Sequence, residues 1–178
     1  MLLALGVITA LYERLKSGRG QVVDAAMTDG VAMLTASLHG MLAPGAWHTG
    51  RGTNLLDGGA PFYDTHRTAD DGFVSVGALE PQFYAELLDG LGLDPAQLPD
   101  QHDRAGWPQL RRRLAEVFAS RDRAHWEEVF ADRDACVAPV LSPTEAIEHP
   151  HHRARETFVE VDGLTQPAPR LSRTPGRA

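Results

Sequence analysis

The segment "VSVGALEPQFYAELL" joins a strand-like alternation to a helix-like repeat at Glu80, directly before Pro81. Proline suits the first position of a helix, where no N–H is required. The residue before it is then the N-cap, a position that favours Ser, Thr, Asp or Asn. A glutamate there bonds poorly to the first-turn N–H groups and gains only from the helix dipole. Two readings of Glu80 are open: a mediocre cap on a surface helix, or a carboxylate at the end of a strand that serves a site. The loop "TNLLDGGAPFY" is the second candidate. Gly58 and Gly59 allow backbone geometry closed to other residues, and they let a ligand approach the main chain. The loop is neither a dinucleotide fingerprint nor a P-loop, whose lysine is missing. A plain turn is the competing reading.

The remaining polar residues carry weaker signals. Asp29 precedes a helix and reads first as its cap, with a supporting role in a site as the alternative. Asp24 in "VVDAAM" reads as a satisfied hydrogen-bond acceptor in a buried strand. His149, His151 and His152 have no second cluster at zinc-ligand spacing, and Pro150 interrupts any shared helical face, so no metal site is expected. Cys136 lies among apolar residues without an activating cation and reads as a structural core thiol. Neither a nucleophile elbow nor a Ser-His-Asp order is present.

The elements that must position these residues are set by periodicity and breakers. "LLALGVITALYERL" is apolar on nearly every face, which predicts a helix inside a larger core. "QVVDAAM" reads as a short buried strand, and "TDGVAMLTASLHGML" as one helix capped by Thr28 or Asp29. A long glycine-containing stretch comes next, a functional loop or a linker by its length. "FYDTHRTA" and "FVSVGAL" flank "DDG", a strong hairpin signal. Three amphipathic helices are expected in "PQFYAELLDGLGL", "WPQLRRRLAEVFAS" and "DRAHWEEVFAD". "ACVAPVL" reads as a buried strand. "SPTEAIEH" carries a capping box, with Ser142 as cap, Pro143 first and Glu145 third. "TFVEVDG" reads as a last strand. The uncapped start and the open-ended tail both read as a chain that begins and stops partway through a fold.

The composition sets limits on function. The 178 residues suffice for one ordinary domain or two small ones. A net charge of −7 argues against nucleic acid and against an anionic membrane surface as partners. The longest apolar run is too short to span a bilayer. A single cysteine cannot form an internal disulfide, which suits a reducing cytoplasm.

Four stretches, "GRGQVVDAAMTDG", "RGTNLLDGGAPFYDT", "VGALEPQFY" and "DACVAPVLSPTEA", stand in an order that resembles the family III CoA-transferase (CaiB/BaiF) superfamily, and within it the α-methylacyl-CoA racemases. The resemblance implies an α/β fold. Residues 1–43 match the back part of a large Rossmann-like domain, 44–61 a glycine-rich linker, 62–162 a small α+β domain, and 163–178 a returning tail. It implies epimerisation of the α-carbon of acyl-CoA thioesters through an enolate, with coenzyme A as part of the substrate and no separate cofactor. In the family a histidine and an aspartate exchange the proton, and a glutamate pairs with the histidine; that glutamate maps to Glu80. Leu55, Leu56, Tyr63 and Leu79 match the apolar surface for the acyl chain, with Gly58 and Gly59 in the same loop. The histidine and the aspartate fall outside the matched stretches, so the resemblance implies a piece of a racemase, inactive alone, in a family of interlocked dimers. A CoA-transferase piece is the alternative, although the transferases typically lack a glutamate in the "VGALEPQFY" segment. A non-catalytic partner of a full-length subunit is the third.

Overall fold

A computed structural model of the chain describes residues 1–158 and 168–176. The expected strand "TFVEVDG" and the start of the tail lie largely outside the described residues. The chain divides into two compact units, Met1–Asn54 and Leu55–Ala178. The division cuts through the glycine-rich stretch, so "LLDGGAP" falls in the second unit.

The first unit contains α1 (Leu2–Ser17), α2 (Met27–Leu34) and α3 (Ala36–Leu42). The helix α1 forms where its periodicity predicts, but none of its residues is buried, and Leu5 and Leu15 stand 60% and 85% exposed. The strand expected over "QVVDAAM" does not form, and Asp24 is exposed. Strand conformation needs a neighbouring ladder for its N–H and C=O groups, and no described residue of this unit offers one. The next helix begins at Met27 with Ala26 as N-cap, so Thr28 and Asp29 lie inside its first turn instead of capping it. It then breaks at Thr35, whose hydroxyl donates to the carbonyls of Val31 (2.8 Å) and Ala32 (3.3 Å). Such back-bonding bends helices, and one expected helix becomes two.

Among its described residues the second unit is a three-stranded antiparallel sheet with helices packed on it. The strands β1 (Tyr63–Arg67), β2 (Phe73–Gly77) and β3 (Val137–Val140) run in the order β1-β2-β3. The hairpin β1–β2 turns where "DDG" predicts. Among the described residues the third strand is an edge, half-buried rather than buried, and Pro139 is tolerated there because an edge position can forgo one ladder bond. α4 (Pro81–Gly90), α5 (Trp107–Phe118) and α6 (Arg123–Phe130) supply Leu87, Leu88, Leu110, Leu114, Phe118, Trp126 and Phe130 to the core. From the sheet Val74 and Val76 face them. α4 ends in a Schellman motif: Leu93 N–H donates to Leu88 O (2.9 Å) and Gly92 N–H to Asp89 O (3.0 Å). α7 (Pro143–Glu148) has the predicted capping box, and α8 (Pro150–Ala154) is capped by His149.

His66 and Glu145 both make this unit acid-sensitive. His66 is buried; its ring stacks on Phe118 with centroids 5.0 Å apart, and its Nε2 lies 2.8 Å from Pro61 O. A carbonyl only accepts, so Nε2 carries the proton. Burial lowers the imidazole below its ordinary pKa of 6.5, partly opposed by that hydrogen bond. Glu145 accepts from the Arg123 guanidinium and from Ser142 N–H, and is held down to about 2 from 4.5. For His66 the unfolded chain binds the extra proton, so its contribution is full above pH 6.5 and declines as pH falls through that value. For Glu145 the contribution is present above 4.5 and is lost as pH falls toward about 2. Urea unfolding at a series of pH values should therefore show wild type losing stability relative to His66→Gln below about pH 6.5. A pH-independent difference between the two would exclude a buried neutral imidazole.

Candidate functional site

Alternation along β2 creates two different sheet faces. Val74 and Val76 turn toward the helices, while Phe73, Ser75 and Gly77 turn outward. The register pairs Tyr63 with Gly77 and Thr65 with Ser75, so Tyr63 and Thr65 share the outer face. Over it lies an open groove with a cavity volume of about 410 Å³, lined by Leu56, Gly58, Tyr63, Ser75, Gly77 and Cys136 among others. Its floor is made by the small residues Ser75 and Gly77, and Leu56 and Tyr63 are its large apolar walls. Three of the residues singled out in the sequence, Leu56, Gly58 and Tyr63, meet here. Leu55 and Leu79 do not; they pack half-buried against the core. Gly59 is buried and does not line the groove. Asp29 belongs to the other unit, exposed in the first turn of α2.

The loop is held open by a clamp the sequence did not reveal. Arg111, on α5, pairs with the Asp64 carboxylate, and its Nη2 donates to Gly58 O (2.7 Å) and Gly59 O (2.9 Å). Gly58 lies in the left-handed region (φ 85°), where an L side chain is strained. Asp57 Oδ1 accepts from Gly59 N–H (3.2 Å) and tightens the same turn. Arg111 is one of three consecutive arginines on an amphipathic helix, and periodicity alone does not separate it from its neighbours.

A second clamp fixes the strand-to-helix junction. The buried Gln101 side chain donates from Nε2 to Ala78 O (3.2 Å) and Leu79 O (3.0 Å). Its own backbone carbonyl accepts from Trp107 Nε1 (2.9 Å). Ala78 N–H donates to Phe62 O (3.0 Å). Glu80 comes immediately after as N-cap of α4, with extended backbone (φ −75°, ψ 145°) and no side-chain capping bond. The exposed carboxylate forms no hydrogen bond or ion pair among the described residues.

Cys136 is not the core thiol the sequence suggests. It is exposed, at the groove rim. It precedes β3 with φ 52°, and its carbonyl accepts from Gly77 N–H (2.9 Å). Partial desolvation, then the charges of Asp134 and Glu80, push the thiol pKa up. The sulfur is therefore protonated at neutral pH and a poor nucleophile. Glu80 follows the lining residue Gly77 by three positions and does not itself line the groove. An apolar trough can hold an extended acyl chain, and an unpaired carboxylate three residues beyond its lining can orient an imidazole brought to it.

These features agree with kinship. The chain belongs to CoA-transferase family III, whose family model matches residues 1–178. It is 49% identical over 179 residues to the alpha-methylacyl-CoA racemase of Mus musculus and 46% identical over 178 residues to that of Homo sapiens. Each alignment covers 98% of this chain and 47% of the relative, so the chain spans about half the length of the curated relatives it matches. The crystal structure of Rv3272 from Mycobacterium tuberculosis matches 97% of the chain, and 46% of its own, with a TM-score of 0.70 at 20% identity, which shows the shared fold.

The Arg111 clamp makes a specific prediction. Arg111→Ala should release the 58–59 carbonyls, speed amide hydrogen exchange at residues 57–60, and cost about 1–2 kcal/mol of stability. Arg111→Lys should fail to restore protection, because a point charge cannot reach both carbonyls and a carboxylate. Unchanged exchange in Arg111→Ala would show that the loop holds itself.

Proposed function

We propose that this chain carries the acyl-binding groove and the glutamate of an α-methylacyl-CoA racemase. Glu80 is the observation that carries the reading. It occupies a cap position without capping, exposed near the groove, in a chain nearly half identical to two racemases. Leu56, Gly58 and Tyr63 would contact the acyl chain, while Leu55, Gly59 and Leu79 would back the surface, with Asp29 in a supporting role.

The chemistry is proton removal from the carbon next to a thioester carbonyl. The thioester stabilises the enolate, a base on one face takes the proton, and an acid on the other returns one. The resemblance gives those roles to a histidine and an aspartate outside the matched stretches. Glu80 would accept from one imidazole nitrogen, fix its tautomer and raise the basicity of the other. Coenzyme A enters as part of the substrate, with no separate cofactor. The setting would be lipid metabolism in the cytoplasm; among the described residues no helix is long and apolar enough to cross a membrane.

The exposed apolar residues of α1 favour a second chain as partner, since an apolar patch of this kind is normally covered. A family-type dimer, or pairing with a full-length subunit, would do so. Size-exclusion chromatography should then show self-association or co-elution with a full-length relative, and a monodisperse monomer under both conditions would remove the partner reading.

The catalytic reading is tested by α-proton exchange of 2-methylacyl-CoA in deuterated water, monitored by NMR. The chain alone should give no exchange above buffer. Mixed with the remaining half of the mouse relative, it should gain exchange, and Glu80→Gln should lower that rate about a hundredfold while leaving thermal unfolding unchanged. An unaffected rate in Glu80→Gln would take Glu80 out of the mechanism.

A further inference from the structure

Gly77 is the last residue of β2, opposite Tyr63. Its φ is not in the left-handed region, so the backbone does not call for glycine. In a strand, glycine carries a cost: it has more freedom to lose and no side chain to pack. Packing does not call for it either. A Cβ built here would stand 3.7 Å from Cys136 Cβ, 3.8 Å from Cys136 O and 3.8 Å from Tyr63 Cε2, all ordinary contacts. The alternation that buries Val76 sends that Cβ outward, between the Tyr63 wall and the Cys136 rim. The volume a side chain would occupy is the groove itself.

We propose that Gly77 is a specificity-determining residue, whose missing side chain keeps the floor between Tyr63 and Cys136 low enough for a long extended acyl chain. A larger residue at this position raises the floor and restricts the site to short acyl groups. The inference rests on the acyl-binding reading above and adds to it the position that sets chain length. Ser75, next on the same face, continues the low floor, but its hydroxyl is engaged with Ala138 O (3.2 Å) as part of the sheet. Gly77 has no such second duty in its side chain.

The test is calorimetric binding of free coenzyme A and of 2-methylbutyryl-, 2-methyloctanoyl- and 2-methyldodecanoyl-CoA to the chain and to Gly77→Val. Wild type should bind the longer thioesters progressively more tightly than coenzyme A. Gly77→Val should lose about tenfold for the dodecanoyl probe, the factor expected when about two methylenes lose burial, and less than about twofold for the butyryl probe and coenzyme A. Gly77→Ala should fall between, at about threefold, and it decides the matter if the valine variant does not fold by circular dichroism. A wild-type chain-length preference that survives in both variants overturns the role of Gly77 and leaves the acyl-binding reading intact. Equal losses for all four probes overturn it as well. A wild-type chain that binds acyl-CoA no better than coenzyme A sinks the acyl-binding reading, and the role of Gly77 with it.

Discussion

Burial of Phe62 is the constraint on which the second unit depends. Its side chain is fully enclosed and meets Tyr84 of α4 and Trp107 of α5 edge-on, at centroid distances of 5.5 and 6.0 Å. Its carbonyl accepts the Ala78 N–H that carries β2 toward α4. One buried aromatic thus joins the end of the glycine loop, the hairpin and two helices. Aromatic pairs in this geometry add stabilisation beyond the area they bury. The neighbouring residues extend the anchorage. Pro61 O accepts from His66 Nε2–H, and Ala60 O accepts from Tyr63 N–H (3.0 Å). A groove lined by loop residues keeps a fixed shape only if the loop is tied to the core this closely.

The polar clamps act on top of that anchorage. Arg111 and Gln101 both reach from the segment around α5 to backbone carbonyls, one at the glycine loop and the other at the β2–α4 junction. Neither lines the groove itself, but Arg111 holds two residues that do, Gly58 and Asp64. Each satisfies carbonyls that would otherwise lack partners at a loop or a junction, where regular secondary structure supplies none. Gln101 has a particular consequence for Glu80. With the Ala78 and Leu79 carbonyls fixed, the N-cap backbone is set without help from the glutamate side chain. The carboxylate is therefore left unpaired among the described residues, whereas the side-chain oxygens of Ser142, Asp122 and Asp94 cap their own helices.

Burial differs between the two units. The second unit encloses a core of aromatic and branched residues, and its exposed edge carries ion pairs such as Arg123 with Glu145 and Arg133 with Asp89. The helices α1 to α3 of the first unit bury no residue of their own. Their apolar content is that of buried helices, and their exposure is that of surface ones. Local propensity forms such helices, and only further contacts can bury them.

Much of this was legible in the residues themselves. The "DDG" hairpin, the helix started by Pro81, the amphipathic stripe of Leu110 and Leu114, and the Ser142 capping box are short-range features. Backbone geometry and periodicity determine them within a few positions. The four ordered motifs likewise carried the family. The sequence could not decide whether "QVVDAAM" pairs as a strand, which requires a neighbour, or whether Cys136 faces core or groove, which turns on one positive φ. Nor could it single out Arg111 among three arginines or Gln101 in a loop, because a clamp is defined by the distant carbonyls it reaches. Gly77 makes the same point. In sequence it is one more glycine at a strand end; in the fold, the strand register sets it opposite Tyr63, and the space left by its missing side chain becomes part of a groove. Local chemistry determined the elements and the carboxylate at the junction. Long-range packing alone decided that the carboxylate stays unpaired and that the glycine lines a groove.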